Sequence, residues 1–114
     1  MVSPAIERQI RATLIARARK GRPPLTYTDL CRQVPGAPSH RSVELYELLG
    51  EISRQSYRKR RIFLTALVVG AGTGIPGPGF FKKMAFPILG VEDVPNWRRF
   101  WERERNRVYE FYAN

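Results

Sequence analysis

The stretch "RKRRIFLTALVVGAGTGIPGPGFFKK", Arg58 to Lys83, admits three structures, and the choice among them decides the fold. Between Arg61 and Lys82 lie twenty residues without a charge, enough to cross a bilayer. A span must satisfy its backbone internally as a continuous helix or a closed barrel. Here Gly70, Gly72, Gly74, Gly77 and Gly79 crowd the second half together with Pro76 and Pro78. In a helix interior each Gly costs roughly 1 kcal/mol and each Pro about 3 kcal/mol relative to Ala. "IFLTALVV" alone is half a span, so no membrane segment is expected. The second reading is a phosphate loop, because Gly72, Gly74 and Gly77 match GxGxxG formally. Such a loop must open a helix that holds the phosphate. Pro78-Gly79 argues against one, and no Lys-Ser or Lys-Thr follows. The third reading is a strand, a wide glycine–proline loop and a returning strand. That predicts antiparallel strands near 62–69 and 79–84, a hairpin with Arg58–Arg61 on one side of its base and Lys82-Lys83 on the other.

Upstream, Ser3-Pro4 is a helix start, with Ile6, Ile10 and Leu14 at four-residue steps and Gly21 as the stop. "RPPLTY" is extended. Thr28-Asp29 can cap a short helix, "DLCRQV". Ser39 or Ser42 then caps a longer one, in which Leu45, Leu48, Leu49 and Ile52 repeat as a core stripe. Glu44 and Glu47 stand early in that helix and Arg58–Arg61 at its end, the order the dipole prefers. A last helix begins at "DVPNW". Its Trp97, Phe100, Trp101, Val108, Phe111 and Tyr112 share a face.

The order of elements is that of a winged helix-turn-helix. The expected fold is therefore α+β: one domain with its core over about 3–86, a glycine/proline-rich β-hairpin wing and an additional C-terminal helix over about 95–112. "GRPPLTYTDLC", "LGEIS" and "IFLTALVV" resemble the DNA-binding domain of the alkylguanine-DNA alkyltransferase and alkyltransferase-like family, over about half the chain. The resemblance implies a duplex-DNA partner. That family's strand ends in Pro-Cys-His-Arg or Pro-Trp-His-Arg; here Val68, Val69, Gly70 and Ala71 stand in those places, so alkyl transfer is not carried over. "LGEIS", "LTALVV" and "TGIPGPGFF" also resemble small uncharacterised bacterial proteins, which implies no activity.

Composition supports a polyanion partner. Of 114 residues, 43% are apolar and 26% charged, enough for one modest core. Twenty Lys and Arg against ten Asp and Glu give a net charge of +10, which attracts nucleic acid. The single Cys31 excludes an internal disulfide and points to a reducing, cytoplasmic compartment; it reads as a small core residue. With His40 it is too little for a zinc site, and neither a metal nor another cofactor is expected. The amino end lacks the apolar core of a secretory leader. Asp29, Glu44, Glu47 and Glu51 are the available carboxylates, but the three glutamates follow helix spacing and read as a solvated face, and no enzyme is expected.

The expected function is non-catalytic nucleic-acid binding, mainly to the backbone of double-stranded DNA. The residues expected to carry it are Arg41, Arg54, Tyr57, Arg58, Lys59, Arg60, Arg61, Lys82 and Lys83. The alternative is a protein-interaction module. It would use the acidic face of the long helix, or the aromatic C-terminal helix to engage a partner or a second copy.

Overall fold

The computed structural model describes residues 4–113. The Ser3 cap falls outside them. Helix α1 spans Pro4–Arg19, β1 Leu25–Thr26, α2 Tyr27–Gln33 and α3 Val43–Arg60. A 3₁₀ turn, Leu64–Leu67, leads into β2, Val68–Val69. A π-helical stretch, Phe80–Ala85, continues into α4, Phe86–Leu89, and α5 spans Trp97–Tyr112. The architecture is α+β, with five α-helices among the described residues and one small sheet. No described helix is long and apolar enough to cross a membrane.

The decisive stretch folds differently from the expected hairpin. Only Val68 and Val69 are strand, and they pair in parallel with Leu25 and Thr26. "LTAL" is a buried 3₁₀ turn instead of the beginning of that strand. It is held through side chains: Ser56 Oγ donates to the Ile62 carbonyl and accepts from Leu64 N–H, Ser53 bonds Thr65, and Trp101 Nε1 donates to the Ala66 carbonyl at 2.8 Å. With its polar groups met this way, the segment can sit in the core without a sheet partner. The returning strand is absent because "FFKKMA" is helical. Phe80, Phe81, Met84 and Ala85 are buried while Lys82 and Lys83 face outward. Phe80 packs edge-on against Phe63, and Phe81 stacks on Trp97 with ring centroids 4.5 Å apart. An outward strand would have surrendered these contacts.

Residues 78–79 are helical too, so Pro78-Gly79 opens a helix after all. The proline stands where a helix can spare its N–H. A strand, a glycine loop and a helix therefore do succeed one another. The loop nevertheless closes on itself: Gly70 N–H bonds the Ile75 carbonyl, Gly74 N–H the Gly70 carbonyl, and Ile75 N–H the Thr73 hydroxyl. Gly77 N–H donates to Tyr27 Oη at 2.8 Å. Amides spent in this way are not free to cradle a phosphate, and the nucleotide-loop reading fails for this reason instead.

Elsewhere the boundaries move slightly. Helix α2 starts at Tyr27, and its cap is Thr26, two residues before the expected Thr28, because the Thr26 hydroxyl accepts from Asp29 N–H. Of the two serines proposed for α3, Ser42 is the cap, accepting from Leu45 N–H. Phe100, Trp101, Val108 and Tyr112 of α5 are buried against the domain, while Phe111 is exposed at the last turn. The aromatic face of that helix is thus largely consumed by packing.

Candidate nucleic-acid interface

Helix α3 organises the surface. Leu45, Leu48, Leu49, Ile52, Ser53 and Ser56 bury one side, which leaves the charged residues on the other. Along that outer side the sign reverses: Glu44 and Glu47 come first, then Arg54, Arg58, Lys59 and Arg60, with Arg61 as the C-cap. The C-terminal end of a helix carries about half a negative elementary charge. Four consecutive cations exceed what it can offset. Arg61 extends the crowding by adopting a left-handed conformation at φ 59° that stops the helix.

Tertiary packing adds cations that the sequence does not place there. Arg107 of α5 donates to the Arg61 carbonyl at 2.8 Å. Arg11 of α1 donates to Gln55 Oε1 at 2.7 Å and lines one small hollow with Lys59 and Arg60. Among the described residues the ion pairs are few and local. Arg11 meets Glu7, Arg32 meets Asp29, Arg54 meets Glu51 and Arg107 meets Glu104, each within one helical turn. Among the described residues, Arg58, Lys59, Arg60 and Arg61 have no acidic partner within ion-pair distance.

The other expected residues are dispersed. Lys82 lies 5.7 Å from the Trp97 ring centroid, against α5. Lys83 instead lines a groove with Arg54. Arg41 sits before α3, in a separate hollow with His40, Thr26 and Tyr27. The basic residues on either side of the glycine loop therefore do not flank a common hairpin. Tyr57 is half-buried and stacked on Phe63 at 4.6 Å, with the Arg61 guanidinium 5.5 Å from its centroid. Its ring is committed to packing, so a stacking role with a base would displace an existing contact.

Two features escape the sequence pattern. Tyr46, 40% exposed, stands between the groove of Arg54 and the hollow of Arg41. Its signal was an aromatic among glutamates, off the leucine stripe. Arg107 gives no sequence signal, because its contact with Arg61 spans 46 residues.

The chemistry for catalysis is sparse. Cys31 is half-buried, its thiol donates to the Pro38 carbonyl at 3.2 Å, and burial raises its pKa. That is the opposite of nucleophile activation. Burial raises the pKa of Tyr27 as well, against a smaller opposing effect of the hydrogen bond from Gly77 N–H. Glu51 is held below the ordinary carboxylate range, first by its hydrogen bond from Gln55 and then by Arg54 and Arg58. No group of three or more His, Cys, Asp or Glu among the described residues is placed to hold a metal. No protein family, curated protein or solved structure matches the chain.

Proposed function

We propose that the protein is a non-catalytic nucleic-acid-binding protein that grips the backbone of duplex DNA through the cationic end of α3. The observation that carries this is the run Arg58–Arg61, exposed, without acidic partners among the described residues, and joined by Arg107 and Arg11 from two other helices. Like charges gathered this closely raise the energy of the free protein, and a polyanion offsets that cost. In this reading α2 and α3 act as a helix-turn-helix pair without a β-wing. The glutamates keep the first half of α3 away from phosphates, so contact falls on its second half. Backbone contacts position a protein without specifying sequence.

A mobility titration on duplex DNA at two salt concentrations tests the proposal. If roughly five phosphates are neutralised, log K should fall against log salt with a slope of about −4.5. Combining Arg58→Ala, Lys59→Ala and Arg60→Ala should flatten that slope by about 2.7 and weaken unrelated sequences alike. Binding indifferent to salt, or untouched by the triple substitution, removes α3 from the mechanism. It would favour a protein-interaction module instead, for which Val43, 69% exposed, and Tyr46 beside Glu44 and Glu47 offer a surface.

A further inference from the structure

The groove between α3 and the helix that begins at Pro78 is separate from the Arg58–Arg61 cluster and has a different character. It encloses about 500 Å³, within the range of small-molecule sites. One wall is a single stripe of α3, including Tyr46, Gly50 and Arg54; the facing wall is Gly79, Lys83 and Met84. The two glycines of its lining differ in their surroundings. A Cβ on Gly50 would come within 3.4 Å of the Arg54 guanidinium, whereas one on Gly79 would meet nothing within 4 Å. The space beside Gly79 is open, so a side chain there could extend over the groove.

Its charge is asymmetric. Among the described residues Lys83 has no acidic partner within ion-pair distance, and Arg54 pairs with Glu51 alone, at 3.3 Å. Glu47 is the only acidic residue in the lining. Tyr46 and Met84 supply apolar surface between these charges, and thioethers and aromatic rings adapt well to a flat guest.

We infer that this groove binds a small amphipathic anion: a flat apolar body against Tyr46 and Met84, with its carboxylate held by Arg54 and Lys83. Glu47 orients the guest by repelling a second negative group from its position. This role is independent of nucleic-acid binding. It uses one residue, Arg54, that stands one turn from the cationic cluster without belonging to it.

Calorimetric titration of the full chain with naphthoate, its neutral amide and naphthylmethylammonium tests the inference. Naphthoate should bind about tenfold more tightly than the amide, and the ammonium more weakly than either. Lys83→Ala should bring naphthoate close to the amide and leave the amide unchanged. Gly79→Leu should fill the groove and abolish both, while circular dichroism shows the fold intact, since the site is helical and open. It should leave DNA binding in place, whereas the triple substitution in α3 should spare naphthoate. No saturable naphthoate binding at millimolar concentration overturns the inference. So does equal affinity for all three probes, or naphthoate binding that survives Gly79→Leu.

Discussion

Arg61 and Glu104 show how single residues are held in unfavourable settings. Arg61 closes α3 at φ 59°, a conformation that costs a non-glycine residue about 1 kcal/mol or more. Its guanidinium beside Tyr57 returns about 0.5 kcal/mol. Arg61→Gly should therefore stabilise the fold slightly in urea melts while weakening DNA binding. A stabilised variant with full affinity would exclude Arg61 from the interface. Glu104 is buried on the apolar side of α5, and its Oε1 has no hydrogen-bond partner, though Arg107 lies 3.6 Å away. Burial raises its pKa, and Arg107 and Arg103 only partly oppose this. The folded state thus takes up the proton at higher pH than the unfolded chain. Acidifying through that window stabilises the wild type, and raising the pH through it removes that stability. Glu104→Gln should raise Tm at neutral pH, and the advantage should fade as the pH falls through the raised value of the folded state, to be gone below about 4.5, the group's ordinary value. A constant difference across pH would show that the carboxylate is adequately solvated.

At the scale of elements, one tyrosine ties the end of the glycine loop to the start of α2. Tyr27 Oη accepts from Gly77 N–H, fifty residues away, and its ring tilts against Tyr46 at 5.9 Å. Tyr27→Phe keeps the ring and leaves that amide without its partner, so it should cost about 1 kcal/mol. Amide exchange should quicken at residues 70–79 more than elsewhere; uniform quickening would mean that the bond does not hold the loop. The caps on α2 and α3 follow local rules, and the sequence shows them to within one turn. The segment 62–85 does not follow them, because β-branched and aromatic residues are compatible with a strand and with any buried backbone. What excluded the strand was the chance to bury Phe80 and Phe81 together against Phe63 and Trp97.

For the whole molecule the governing quantity is uncompensated charge. A net +10 on 114 residues gives long-range attraction, which salt screens over about 10 Å at 0.1 M. Salt should therefore slow association more than it hastens dissociation. Stopped-flow mixing with duplex DNA at two ionic strengths would show the effect chiefly in the on-rate. An effect confined to the off-rate would point to desolvated, specific contacts. The packed aromatic side of α5 argues against that helix as a dimer face, since only Phe111 among its large aromatics is exposed.

By itself the sequence determined the helices with periodic stripes, the order of the chain, the impossibility of a membrane helix through 70–79, and the excess of positive charge. These depend on spacing and composition, which are local or additive. Only the tertiary structure decided that β2 pairs in parallel with β1, that "FFKKMA" is helical, and that Arg107 joins Arg61 while Lys82 and Lys83 part company. Each of those outcomes depends on which distant surface a short apolar segment can cover, and local spacing carries no record of that.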